Sequence, residues 1–91
     1  MEKISWSIPL DKLWNVINDD PQQFIDATMV VAESAFDDAD SKWWLYAYKP
    51  SENDDSVVLS LETEESVIES ASCASEETLV DTVKRLLSQV E

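Results

Sequence analysis

The chain has 91 residues, of which 20 are acidic and 6 basic, for a formal net charge of −14. It contains no histidine and no glycine, and Cys73 is its one cysteine. These absences exclude a histidine base or metal ligand, a glycine-built phosphate loop, and an internal disulfide or cysteine-rich zinc site.

Hydrophobic residues make up 44% of the chain. That is too many for a disordered acidic tail, and they are patterned rather than scattered. A chain of this length buries one modest core, so residues 1–91 read as a single small acidic domain. Without glycine, any turn that needs a positive φ falls to Asn or Asp. Met1–Leu10 does not read as a signal peptide, and no apolar stretch approaches the roughly 18 residues of a membrane span. A cytoplasmic, soluble protein is expected, in a host's cytoplasm if phage-encoded.

"KISWSI" (Lys3–Ile8) alternates, with Ile4, Trp6 and Ile8 on one side and Ser5 and Ser7 on the other, which predicts a short strand. Pro9 suits the first position of a helix, and Asp11 complements its positive end. Leu10, Leu13, Trp14 and Ile17 follow at helical spacing, so an amphipathic helix is expected over Pro9–Asn18. "DDPQQF" (Asp19–Phe24) signals a second helix, with Asp20 as cap, Pro21 at the first helical position and Gln23 completing a capping box.

The next segment fits two structures. Phe24, Ala27, Val31 and Ala35 suit a helix running on to Phe36, whereas Thr28, Met29, Val30 and Val31 suit a strand over Thr28–Phe36.

"SKWWLYAYK" (Ser41–Lys49) reads as a strand ended by Pro50. "SVVLSLET" (Ser56–Thr63) is its antiparallel neighbour, with Asn53 and Asp54 turning the chain between them. "ESVIESASC" (Glu65–Cys73) follows as a third strand, and its thin apolar content suits an edge. Ser75 caps a final helix, Glu76 and Glu77 complement its start, and Lys84 and Arg85 lie toward its end. Leu79, Val80, Val83, Leu86, Leu87 and Val90 form its apolar stripe. The expected fold is α+β: an antiparallel meander of three to five strands with two or three helices packed on one face, including an amphipathic C-terminal helix.

Alternation divides the aromatic strand between two faces. Trp43, Leu45 and Ala47 share one, and Trp44, Tyr46 and Tyr48 the other. In the neighbouring strand Val57, Leu59 and Leu61 are the apolar set, and Val58, Ser60 and Glu62 the mixed one. If the Leu59 face packs on the helices together with Trp43, then Trp44, Tyr46 and Tyr48 stand beside serines and carboxylates. That second face is either covered by an early helix or a second subunit, or it is a binding surface. Tyr and Trp are the residues most enriched at binding hot spots.

The charge is unevenly spaced. Between Lys12 and Lys42 lie Asp19, Asp20, Asp26, Glu33, Asp37, Asp38 and Asp40 without a base. Between Lys49 and Lys84 lie Glu52, Asp54, Asp55, Glu62, Glu64, Glu65, Glu69, Glu76, Glu77 and Asp81, again without a base. Such self-repulsion weakens a compact state while favouring solubility, so a cationic partner is expected, the alternative being that the acids serve solubility alone or adaptation to salt. Direct binding to nucleic acid or a membrane is not expected, because phosphate contacts need cations.

Chemistry finds little support. The pairs Asp19/Asp20, Asp37/Asp38 and Glu64/Glu65 read as solvated loop acids, and "DDADS" (Asp37–Ser41) lacks the glycine and distal glutamate of a calcium loop. Cys73 has acidic neighbours and no histidine to activate it, so it reads as a small packed residue. No catalytic, cofactor-binding or metal-ligating residue is assigned, and no cofactor is expected.

Small, acidic and without catalytic groups, the chain is similar in kind to phage anti-restriction and anti-CRISPR proteins and to bacteriocin-type immunity proteins. The similarity is one of composition and covers no motif. From the unbalanced acids and the aromatic face, the expected function is a non-enzymatic inhibitor that mimics nucleic acid and occupies the basic surface of a nucleic-acid-handling protein. The alternatives are an immunity protein or antitoxin masking a cationic toxin or nuclease, and an acidic adaptor that forms a homodimer. The residues expected to meet the partner are Asp37, Asp38, Asp40, Glu52, Asp54, Asp55, Glu62, Glu64 and Glu65 as phosphate-like charges, with Trp44, Tyr46 and Tyr48 as anchors.

Overall fold

A computed structural model describes residues 4–35, 42–51, 53 and 55–90. Five strands and three helices are found among them, in the order β1 (Ile4–Trp6), α1 (Leu10–Asp19), α2 (Gln22–Asp26), β2 (Met29–Ser34), β3 (Trp43–Tyr48), β4 (Val57–Thr63), β5 (Val67–Cys73) and α3 (Glu76–Leu87). The strands form one antiparallel sheet in sequence order, β1-β2-β3-β4-β5, so the α+β meander is what the chain adopts.

All three helices contribute to a core on one face of the sheet. Trp43, Leu45 and Ala47 from β3 and Val57, Leu59 and Leu61 from β4 are buried together with Leu13 and Ile17 of α1, Phe24 of α2, and Leu79, Val83, Leu86 and Leu87 of α3. Burying this many aliphatic side chains, at about 1.5–3 kcal/mol each, is the main favourable term available to so small a domain. Trp6 and Trp14 pack against this core partly buried, and Cys73 is fully buried within it as a free thiol.

The segment that fitted either a helix or a strand resolves into both, in succession. The helix starts but stops after one turn at Asp26, and the chain then pairs as β2 between β1 and β3. The expected capping box does not form. Pro21 occupies the cap position without a side-chain cap bond, and Gln23 Nε2 donates to the Asp20 side chain at 2.7 Å rather than completing a box. The backbone N–H of Lys49 donates to the carbonyl of Phe24 at 2.9 Å, which ties α2 to the end of β3. Phe36, the far boundary of both alternatives, lies outside the described residues.

Two bulges shape the sheet. In β2 the register slips between Val30 and Ala32, leaving Val31 as the extra residue. Its carbonyl accepts from the N–H groups of Ser7 (2.8 Å) and Ile8 (3.2 Å), so the bulge is held by the chain leaving β1. In β5 the slip places Ile68 between Val67 and Glu69. Among the described residues no backbone position has a positive φ, so this part of the chain makes its turns without needing glycine.

The C-terminal helix forms as its sequence dictates. Ser75 Oγ accepts from the N–H of Thr78 at 3.2 Å, Glu76 and Glu77 fill the first turn, and Lys84 and Arg85 the last. Arg85 donates to Glu69 of β5 and Gln89 Nε2 donates to its other oxygen at 3.0 Å, which pins the helix to the sheet edge. The Arg85 hydrogen bond, followed by that from Gln89, holds the Glu69 carboxyl below its ordinary value of 4.5. A depressed folded-state value means that this contact stabilises above the ordinary value and is lost as pH falls through the folded one. Melting temperatures of the protein and of Glu69→Gln are therefore expected to differ at pH 6 and to converge as the pH falls below the ordinary carboxyl value and on through the depressed folded one.

An open aromatic face as candidate functional site

The face of the sheet opposite the helices carries the candidate site. Cross-strand register sorts its residues into rows, because directly paired residues on antiparallel strands share a face. The first row runs Ser5, Glu33, Trp44, Glu62 and Val67 across all five strands. The second runs Val30, Tyr46, Ser60 and Ser70, and the third Tyr48, Val58 and Ser72. Burial in β3 alternates strictly, with Trp43, Leu45 and Ala47 buried and Trp44, Tyr46 and Tyr48 half-buried. The early helices lie with the core and do not cover this face. Among the described residues it is open.

Trp44 sits at the centre of the first row. Glu33 pairs across from it on β2 and Glu62 on β4, so a carboxylate flanks the indole on either side. Neither carboxylate meets a cation at ion-pair distance among the described residues. Lys42, just before β3 begins, holds its Nζ 5.9 Å from the centroid of the Trp44 ring. That places an ammonium over the negative face of the indole.

Serines polarise the rest of the surface. Ser70 Oγ donates to Ser60 Oγ at 3.3 Å, and Ser60 Oγ donates to Glu62 Oε2 at 3.1 Å. This relay from β5 to β4 orients Glu62 and satisfies Ser60, which is buried beneath its neighbours. Val67, 53% exposed, ends the first row with an unusual apolar surface at the sheet edge, next to Ile68 at 40%.

The residues expected to meet a partner therefore separate. Trp44, Tyr46, Tyr48 and Glu62 come together on this one face. Glu64 and Glu65 are exposed in the turn that follows β4, where Thr63 Oγ1 accepts from the N–H groups of Glu65 and Ser66. Asp55 is exposed before the other end of β4, roughly 20 Å or more away at the rise of a strand. Asp37, Asp38, Asp40, Glu52 and Asp54 lie outside the described residues. Other carboxylates, among them Asp11, Asp19, Asp26, Glu76, Glu77 and Asp81, are exposed on the helical side. The negative charge thus surrounds the molecule, and the aromatic row is what makes one side different.

Glu33 is the member of the site that sequence reasoning left out. Strict alternation along β2 would put Glu33 on the same side as the buried Val31. The bulge inserts one residue, makes Val31 and Ala32 consecutive buried positions, and turns Glu33 to the open face. Two adjacent small apolar residues before an acid were the only trace of this in the sequence.

A concavity of about 620 Å³ lies on the helical side, lined by Trp6, Pro9, Leu10, Asp11, Val80 and Lys84. Asp11 and Lys84 are the ionisable groups of its lining. Among the described residues no cluster of three or more potential ligands is arranged to hold a metal ion, and no helix is long and apolar enough to cross a membrane. Against this geometry, no family model, curated protein or solved structure matches the chain.

Proposed function

We propose that the protein is a non-enzymatic inhibitor that binds the basic, nucleic-acid-binding surface of another protein and thereby excludes the nucleic acid. The observation that carries this reading is the uncovered row of Trp44 between Glu33 and Glu62, with Tyr46 and Tyr48 beside it. Aromatic side chains supply large rigid contact area, and carboxylates beside them select for a positive counterpart. The net charge of −14 acts at longer range, raising the rate of encounter with a cationic surface by about 10–1000-fold.

Charge also argues against the aromatic face as a self-interface. Two copies bring −14 to −14, and a homodimer through Trp44 would press Glu33 and Glu62 toward the like charges of its twin. An immunity protein masking a cationic toxin would use the same face, and the identity of the captured partner separates the two.

The test is capture from a host lysate across a salt gradient, followed by competition with DNA or RNA for the captured protein. A partner released steeply by salt, and displaced from its nucleic acid by this protein, supports the reading. Replacing Asp54 and Asp55 by Lys is expected to slow association and flatten its salt dependence, as measured by surface binding kinetics. Kinetics that do not change with salt would leave the charge without a role in binding.

A further inference from the structure

We infer that Glu33, Trp44 and Glu62 form a seat for one arginine side chain of the partner. This inference rests on the reading of the open face as the contact surface for a cationic protein. It adds the chemical identity of the group that docks at its centre.

Three observations converge on a planar cation. The first is the indole of Trp44, half-buried and presented on a face that no described helix covers. The second is the position of Glu33 and Glu62, paired across from Trp44 on the two neighbouring strands. Strands two places apart are separated by about 10 Å, so the two glutamate side chains can close from both sides on a group lying over the indole. The third is Lys42, whose ammonium already stands 5.9 Å from the ring centroid. The protein's own lysine marks where a positive charge is stabilised.

A guanidinium uses this arrangement more fully than an ammonium does. It is flat, so it stacks on the indole, and its N–H groups point outward in the plane toward both carboxylates. Lysine brings a compact, strongly hydrated charge that can reach one carboxylate or the ring, but does not span the row. The Ser70–Ser60–Glu62 relay keeps one wall oriented before the guest arrives. The guest takes the place of the Lys42 ammonium over the ring.

The experiment titrates the full chain with hexa-arginine, hexa-lysine and hexa-citrulline peptides at about 0.15 M salt, following the Trp44 indole N–H by NMR. General attraction to an acidic protein treats the first two alike. The seat predicts that hexa-arginine binds about tenfold tighter than hexa-lysine, that hexa-citrulline does not bind, and that the Trp44 indole resonance moves with arginine. Trp44→Leu is expected to reduce the preference to about twofold or less, with circular dichroism confirming that the variant is folded.

Glu33→Gln and Glu62→Gln each lower arginine affinity more than Glu77→Gln, which removes the same charge from the exposed surface of α3. Lys42→Ala raises arginine affinity by clearing the ring. Equal affinity for the two cationic peptides would overturn the inference. So would a preference that survives in folded Trp44→Leu, or arginine binding weakened by Lys42→Ala. These peptides represent no particular protein, so their failure removes the arginine seat alone. The inhibitor reading falls separately, if the captured partner ignores both salt and Trp44.

Discussion

Leu59→Ala is expected to destabilise the domain by about 2–5 kcal/mol, the range for truncating a fully buried leucine. Leu59 has no exposed surface and lies on the central part of the sheet, paired with Ala47 on one side and Ala71 on the other. Those small partners leave it to fill the space beneath the helices. A domain of this length has only about 5–14 kcal/mol of stability in total, so the loss is a large share. The melting temperature should fall by roughly 10–30 °C. Val58, the preceding residue, points to the open face opposite Tyr48 and Ser72. Val58→Thr should therefore cost about 1 kcal/mol or less. Urea denaturation followed by tryptophan fluorescence measures both. Equal losses would mean that the core has been placed on the wrong side of the sheet.

Trp44→Ala is expected to have the opposite profile: a modest effect on folding and a loss of partner affinity of about 2 kcal/mol or more, roughly 30-fold. The contrast with Trp43 is the informative part. Trp43 neighbours it in sequence, is 5% exposed and belongs to the core, so Trp43→Ala should compromise folding. Two adjacent tryptophans thus separate stability from recognition. Thermal melts of both variants, with calorimetric titration of the captured partner into folded Trp44→Ala, decide the matter. Unchanged partner affinity in that variant would remove the aromatic row from the proposed interface.

The predictions at Leu59 and Trp44 share an origin in strand alternation. The burial pattern of β3 follows its sequence residue by residue, because a central strand with a covered and an uncovered face enforces a period of two. The β3–β4 pairing runs without a slip from Trp43 opposite Thr63 to Tyr48 opposite Val58. Trp44, Tyr46, Tyr48 and Glu62 were for this reason legible as one surface. Legibility failed where the period broke. Glu33 reaches the same surface only through the bulge at Val31, and the acids chosen from the turns, Asp55, Glu64 and Glu65, lie toward opposite ends of β4.

By itself the sequence determined the C-terminal helix, the aromatic hairpin, the edge position of β5 and the lack of histidine- or glycine-based chemistry. Each of these follows from contacts close along the chain: a cap bond three residues away, alternation within a strand, or residue types that are absent. The tertiary structure alone decided that α2 ends at Asp26, that Met29–Ser34 pairs as a strand, and that every helix packs on the Leu59 side. Those outcomes depend on which distant segments offer open backbone groups and apolar surface. Val30 finds Tyr46, and Trp6 finds Ala32, only once the sheet exists. The propensities of Thr28–Phe36 were balanced between helix and strand, and long-range pairing energy tipped the balance.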